Sequence, residues 1–186
     1  MDLRKEIVDS AKRVVIKIGS GALTTEEGLN LGVIDGLSKD ISFLMKTRGL
    51  EVILVSSGAI ASGIKKMGYS QRPQSISQQQ AAAAVGQSTL MLAYEEAFQN
   101  HGQRVAQILV TRDDLTHRKR YLNTRNTLFT LLHWKAIPSI NENDTVLVDE
   151  IKFGDNDNLS AMIANLAAAH LVINLTSIDG FYDDDP

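Results

Sequence analysis

A lysine beside two glycines is the first feature of the sequence that could do chemistry. Lys17 lies near the end of an apolar run, and Gly19 and Gly21 follow it closely. A lysine at the end of a strand can place its ammonium group beside phosphate oxygens, and glycines let backbone N–H groups approach the same anion. The spacing matches neither a Walker A loop nor a GxGxxG motif. A solvated lysine next to a tight turn would produce the same local pattern.

A second candidate anion site follows the apolar run at residues 52–55. Ser56, Ser57, Gly58 and Ala59 stand between that run and a stretch of small residues with helical character. The free N–H groups at the N-terminus of a helix suit a carboxylate or a phosphate. A plain serine N-cap, without any ligand, is the alternative interpretation of this segment.

Two further segments combine acids and amides. Residues 141–144 (Asn-Glu-Asn-Asp) follow an apolar run, and residues 154–158 (Gly-Asp-Asn-Asp-Asn) precede a helical pattern. Amides and carboxylates together can hold the ammonium and carboxylate groups of an amino acid. The alternatives are an Asx-rich turn for the first segment and a helix cap for the second. A calcium loop is a weaker interpretation of the second segment, because the EF-hand spacing and its closing glutamate are missing.

Together, these four clusters suit a small zwitterion bound next to a phosphoryl donor. None of the four histidines is well placed as a base, because each lies at the end or on the face of a predicted helix. Transfer of a phosphoryl group to a carboxylate needs no strong base, since the acceptor is already ionised. Catalysis can then consist mostly of positioning and charge neutralisation.

Alternating strand and helix patterns must position these clusters. Short β-branched or apolar runs predict strands at residues 14–18, 52–55, 105–110, 136–140 and 171–175. Helical patterns occupy residues 29–48, 59–67, 77–100, 118–134 and 159–169, and residues 68–76 read as a loop. This alternation predicts an α/β fold with a mostly parallel sheet and helices on both faces. Ligands of such sheets bind beyond the carboxyl ends of the strands, where all four clusters fall.

Composition narrows the classes of protein that fit. The chain has 186 residues, a net charge of −3 and no cysteine, so it is long enough for one domain and has no disulfide framework. The acidic balance argues against a nucleic-acid partner. No apolar run reaches the ~20 residues of a membrane span, and the charged N-terminus lacks the apolar core of a secretory signal. We therefore expect a cytoplasmic enzyme or binding module.

The sequence resembles the glutamate 5-kinases of bacteria, within the amino-acid kinase family. The motifs VVIKIGSGALT, ILVSSGAIASG, AAAAVGQS, IPSINENDTV, EIKFGDNDNLSA and LTSIDGFYDDDP follow one another in that family's order, from about residue 13 to the end. The combination of SSGAIASG, INENDTV and GDNDNLSA is highly specific. Acetylglutamate kinase, aspartokinase and uridylate kinase share the lysine-glycine start without this set.

The resemblance implies a three-layer αβα sandwich that uses ATP and Mg²⁺ to phosphorylate the side-chain carboxylate of L-glutamate, the first step of proline biosynthesis. It implies feedback inhibition by proline and a homo-oligomer. It assigns catalysis to Lys17 and Asp157 and assigns no protein side chain as a metal ligand. The implied glutamate-binding residues are Ser57, Gly58, Asn141, Asp144, Asp155 and Asn156. The implied nucleotide-binding residues are Lys17, Gly19, Ser20, Gly21, Thr176 and Ser177.

Two departures from the family pattern modify these expectations. Ser177 stands where the family usually has an aspartate, which changes one nucleotide contact. Residues 1–186 correspond to the glutamate-binding part of an amino-acid kinase domain, and the rest of the nucleotide-binding lobe and a C-terminal accessory domain are absent. We therefore expect this chain alone to bind glutamate or proline weakly, with little kinase activity. The alternatives are an amino-acid kinase for another acidic substrate and a non-catalytic glutamate- or proline-binding module. A dinucleotide-dependent oxidoreductase fits poorly, because GxGxxG is missing.

Overall fold

A computed structural model of the chain describes residues 3–25, 27–146, 156–176 and 180. Asp155 and Ser177, two of the expected site residues, lie outside the described residues. The elements are, in chain order, α1 (Leu3–Ser10), β1 (Arg13–Ile18), α2 (Ser20–Leu23), β2 (Thr24–Thr25), β3 (Gly28–Leu29), α3 (Leu31–Arg48), β4 (Glu51–Ser56), α4 (Ala59–Lys66), α5 (Ile76–Gln99), β5 (Arg104–Val110), α6 (Arg112–Thr116), α7 (Arg118–His133), β6 (Ala136–Glu142), a 3₁₀ turn (Asp144–Val146), α8 (Asn156–Ala167) and β7 (Leu171–Leu175).

Five strands form one parallel sheet in the order β5-β6-β4-β1-β7. Strand β1 pairs with β4 on one side and with β7 on the other, so Lys17 lies opposite Val55 of β4 and opposite Asn174 of β7. Because every pairing is parallel, the carboxyl ends of all five strands lie at one edge of the sheet. The expected mostly parallel α/β sheet is confirmed.

Helices cover both faces of this sheet and make three layers. Alternate residues of β1 and β4 point to opposite faces, as the two-residue period of a strand requires. On one face Ile16 and Leu54 pack with the core residues of α3 and α5. On the other face Val15 and Ile53 pack with those of α7 and α8. Since both of their faces are buried, β1 and β4 are continuous apolar runs, which is why the sequence predicted them.

The ends of the longest predicted helices follow from local chemistry. The Asn30 side chain accepts a hydrogen bond from Val33 N at 3.2 Å, so α3 begins at Leu31 and not at Leu29 as the pattern suggested. Leu29 pairs instead with Thr24 in the β2–β3 hairpin, which the sequence analysis did not predict. Gly49 ends α3 with a φ of 64°, a left-handed conformation that glycine adopts without a steric penalty.

A capping box starts the short helix α6 at the end of β5. Asp114 accepts hydrogen bonds from the backbone and the hydroxyl of Thr111, at 2.8 and 2.7 Å. Burial alone would raise the pKa of Asp114, but the Thr111 hydrogen bonds and the nearby Arg120 guanidinium outweigh it and lower the pKa. The carboxylate is therefore stabilised in its ionised form and holds the turn after β5.

Helices α4 and α5 cross at unusually close range. A Cβ at Gly86 would lie 1.8 Å from the carbonyl oxygen of Ala59, and one at Gly63 would lie 1.7 Å from that of Ala82. Only hydrogen fits at these two positions, so the helices approach backbone to backbone. Because Ala59 is the first residue of α4, this crossing also fixes where the N-terminus of α4 lies.

Among the described residues, no helix combines the length and the apolar character needed to cross a bilayer.

Candidate active site

The described residues of the four polar clusters meet at the carboxyl edge of the sheet. Lys17 lies next to last in β1, Ser56 ends β4, and Asn141 lies next to last in β6. Asn156 begins α8, whose residues pack beside β1 and β4. The parallel pairing brings these residues from four elements to one place, which the sequence analysis expected.

The side-chain amide of Asn156 joins two of the clusters. Its Nδ2 donates to the Ser56 carbonyl at 2.9 Å and to Ser57 Oγ at 2.7 Å. It also lies 3.3 Å from Asn141 Oδ1. An amide nitrogen can only donate, so Ser57 Oγ acts as the acceptor in this bond. The hydroxyl hydrogen of Ser57 is then directed elsewhere, and Ser57 lines the cavity described below.

Asn141 is buried, and each end of its side chain is held. Its Nδ2 donates to Gln87 Oε1 of α5 at 2.8 Å, and its Oδ1 accepts from the backbone N–H of Glu142 at 2.9 Å. These bonds fix the orientation of the amide that faces Asn156. Sequence reasoning did not single out Gln87. Its position was a usable signal, because the half-buried Gln87 lies at helical spacing from the buried Leu90 and Tyr94 of α5.

Lys17 and Asp157 form an ion pair at the same edge. Lys17 Nζ lies 2.7 Å from Asp157 Oδ1, and the lysine side chain is only 4% exposed whereas the aspartate is 50% exposed. The alternative of a solvated lysine is therefore wrong. A buried ammonium with one half-exposed carboxylate partner can also face an incoming anion from the open side.

The glycine turn after β1 passes close to Lys17. Gly19 N donates to the Leu175 carbonyl at 3.0 Å, which ties the ends of β1 and β7 together. A Cβ on Gly19 would lie 3.6 Å from Lys17 Nζ, an ordinary van der Waals distance, so the backbone at Gly19 lies close to the ammonium. Ser20 and Gly21 begin the short helix α2 and are exposed. Thr176 follows β7 directly and is exposed at the same edge.

The N-terminus of α4 opens into the site without a side-chain cap from any described residue. Gly58 is the N-cap residue, with a φ of 97°, and its conformation turns the chain from β4 into the helix. The alternative of a plain serine N-cap is wrong, because Ser57 Oγ instead accepts from Asn156. The first N–H groups of α4 are thus available to an anion, and they carry the positive end of the helix dipole.

A cavity of about 470 Å³ lies beside the first residues of α4. Of the expected site residues, those on its wall are Ser20, Ser57, Gly58, Asn141, Asp144 and Asn156. The cavity wall carries two acidic residues, Glu142 at the end of β6 and Asp144 just after it. It also carries two basic residues, Lys65 of α4 and Arg72 of the loop that leads to α5. The size suits a small ligand, and the mixed charges suit a zwitterion.

Two parts of the cavity wall were missed or underestimated from the sequence. The β2–β3 hairpin contributes Thr24, Thr25 and Gly28. The segment at residues 69–72, which was predicted only as a loop, also lines the cavity. Short strands and loops have little periodicity in their sequence, so their position at the site could not be predicted from it.

The comparisons with known proteins can now be set beside this geometry. The model of the amino acid kinase family matches residues 12–186 of the chain. The chain belongs to the amino acid kinase family. Among solved structures, the product complex of the T. acidophilum isopentenyl phosphate kinase matches with a TM-score of 0.62 and 20% identity. The match covers 94% of this chain and 74% of that one, and it supports the αβα fold alone.

Several curated relatives are named glutamate 5-kinase. The one from Geobacter metallireducens is 60% identical over 99% of this chain, the one from Geobacter sulfurreducens is 57% identical over 99%, and the one from Maridesulfovibrio salexigens is 50% identical over 100%. In each case the match covers 49% of the relative. The chain therefore spans about half the length of the curated relatives it matches.

Proposed function

We propose that this chain forms the glutamate-binding part of an ATP-dependent glutamate 5-kinase. The observation that carries the proposal is the Asn156 amide, which bonds to Ser56 and Ser57 at the end of β4 while the next residue, Asp157, pairs with Lys17. Through this arrangement the N-terminus of α4 would bind a carboxylate of the substrate near the buried ammonium of Lys17. The names of relatives 50–60% identical to the chain supply the substrate.

Glutamate would lie in the cavity with its two ends distinguished by charge. The ammonium group would bind Asp144 on the acidic wall, because a carboxylate is the partner that a cation requires in a partly buried site. The side-chain carboxylate would approach the N-terminus of α4 at Gly58 and the Ser57 hydroxyl. Because Ser57 Oγ accepts from Asn156, its hydrogen points elsewhere, and Ser57 would donate it to the substrate.

Phosphoryl transfer would then need little more than alignment. An oxygen of the glutamate side-chain carboxylate attacks the γ-phosphorus of ATP, the bond to the bridging β–γ oxygen breaks, and ADP leaves with that electron pair. The acceptor is ionised at neutral pH, since the ordinary glutamate pKa is about 4.3. Lys17 would neutralise charge that develops on the transferred group, and Asp157 would hold the lysine in place. The turn at Gly19, with Thr176 beside it, would accept the phosphates.

The requirement for Mg²⁺ belongs to the same proposal. The part of the chain that the structure describes has no group of three or more histidine, cysteine or acidic side chains placed to hold a metal. We propose that a magnesium ion is held mainly by the phosphates of the nucleotide, as is usual for this ion in kinases. When bound, it supplies further neutralisation of phosphate charge.

Calorimetry and a turnover assay test the proposal together. The chain is titrated with L-glutamate, and with L-aspartate, L-glutamine and D-glutamate as matched competitors. Glutamate-dependent release of ADP is measured for this chain and for a version extended to the length of its curated relatives. We expect selective binding of L-glutamate by both, and turnover mainly by the extended version. Preference for another acidic amino acid would refute the substrate assignment, and binding without turnover by either version would favour a non-catalytic module.

We further propose that L-proline competes for the same cavity, because it shares the α-carboxylate and the secondary ammonium with which Asp144 can pair. Displacement of bound glutamate by proline in the same calorimeter tests this. We also propose a homo-oligomer, which light scattering would measure, and a cytoplasmic location, which the use of ATP favours.

A further inference from the structure

The two adjacent serines after β4 have opposite surroundings. Ser57 lines the cavity, whereas Ser56 is completely buried. The Ser56 hydroxyl lies 2.9 Å from the phenolic oxygen of Tyr94, which projects from α5 and is also completely buried. This bond ties the turn at the carboxyl end of β4 to the long helix beneath it. Neither residue contributes to the chemistry described above.

The direction of the Tyr94–Ser56 hydrogen bond is linked to a second hydrogen bond that Ser56 makes. Ser56 Oγ donates its hydrogen to the Ser57 carbonyl, at 3.3 Å. The 2.9 Å contact allows either oxygen to be the donor, and the arrangement in which Ser56 donates to the Ser57 carbonyl is the one in which Tyr94 donates to Ser56. Burial raises the pKa of the Tyr94 hydroxyl well above its ordinary value. The phenol is therefore neutral and able to donate at physiological pH.

Both carbonyls of the serine pair are thereby held. The Ser56 carbonyl accepts from Asn156 and the Ser57 carbonyl accepts from Ser56 Oγ, while Ser57 N donates to the Ile18 carbonyl at 3.1 Å. The hydrogen bond between Tyr94 and Ser56 connects this network to the protein core. The orientation of the turn decides where Ser57 Oγ and the N-terminus of α4 face the cavity.

We propose that Tyr94 is a positioning residue for the acceptor substrate, acting through Ser56 on the turn that presents Ser57 and the N-terminus of α4. The inference rests on the proposed function, since glutamate is the ligand used to test it. It assigns to a core tyrosine an effect on glutamate affinity that packing alone does not predict. A phenylalanine would fill the same space and keep the contact with Phe98, whose ring centroid lies 6.3 Å from that of Tyr94.

The test compares two identical chemical changes at different places. Tyr94→Phe removes the hydroxyl at the site, and Tyr121→Phe removes one from α7 on the opposite face of the sheet. We expect Tyr94→Phe to weaken L-glutamate binding roughly three- to tenfold, the equivalent of one net hydrogen bond. We expect amide exchange at Ser57 to be faster in that variant without ligand. Tyr121→Phe should bind as the parent does.

A double-mutant cycle distinguishes positioning from general loss of stability. Ser56→Ala removes the same bond from its other end, and the loss of affinity in Tyr94→Phe/Ser56→Ala should be clearly smaller than the sum of the two single losses. Additive effects would overturn the inference, and so would a Tyr94→Phe variant that melts earlier but binds glutamate with the parental affinity. A parent chain that does not bind glutamate would overturn the proposed function itself, and this inference with it.

Discussion

Replacing Gly86 with alanine should damage both the stability and the substrate site of this protein. The new Cβ would lie 1.8 Å from the Ala59 carbonyl oxygen and 2.4 Å from the Gly63 nitrogen. Both atoms belong to the backbone of α4, so no side-chain rotation can relieve the clash. Real Cβ atoms essentially never lie closer than 3.0 Å to such an atom. To increase the distance between the new Cβ and the Ala59 oxygen from 1.8 Å to 3.0 Å, α4 must move by about 1.2 Å.

The expected cost follows from that displacement. Overpacking a core typically costs ~1–3 kcal/mol, and a clash between two backbones belongs at or above the upper end. A loss of ~3 kcal/mol would lower the melting temperature by roughly 6–12 °C in a domain of this size. Because Ala59 begins α4, the shift also moves the N–H groups that face the cavity. A misplacement of about 1 Å can cost ~100-fold in an aligned site.

Gly36→Ala provides a matched control. Gly36 lies within α3, and a Cβ there would meet nothing within 4 Å. An alanine in a helix interior is better by about 1 kcal/mol than glycine, so this variant should be slightly more stable than the parent. Thermal unfolding followed by circular dichroism and calorimetry with glutamate measure both effects. If Gly86→Ala proves as stable as Gly36→Ala and binds glutamate normally, the close crossing of α4 and α5 does not exist as described.

Three further outcomes are expected. Lys17→Ala in the extended, active form should lower kcat by ~10²–10³-fold, because one preorganised electrostatic contact is lost; an unchanged kcat would reject its role. Asp144→Ala should raise the KM for glutamate far more than that for ATP, equivalent to roughly 2–5 kcal/mol of lost binding, whereas equal effects on both would indicate misfolding. Asp114→Ala should lower stability by about 1 kcal/mol through loss of the Thr111 cap. Since folding lowers the pKa of Asp114, this contribution is fully present above the ordinary value of 3.8 and disappears as the pH falls through the lowered pKa; melting curves of parent and variant should therefore converge in acid.

The sequence by itself determined the fold class and the edge of the sheet at which the site lies. Strands such as β1 and β4 are buried on both faces, so their apolar runs were unambiguous. Parallel pairing then requires the polar residues at their ends to meet at one edge. For that reason Lys17, Ser57 and Asn156 could be placed near one another before any distance was known.

Only the tertiary structure decided what those residues do with their hydrogen bonds. Whether Ser57 caps a helix or accepts from Asn156 depends on residues 99 positions apart in the chain, and local pattern contains no information on that distance. The bonds of Gln87 to Asn141 and of Tyr94 to Ser56 likewise join α5 to strands far from it in sequence. Long-range contacts of single polar groups leave no periodic pattern in the sequence, so only the three-dimensional structure shows them.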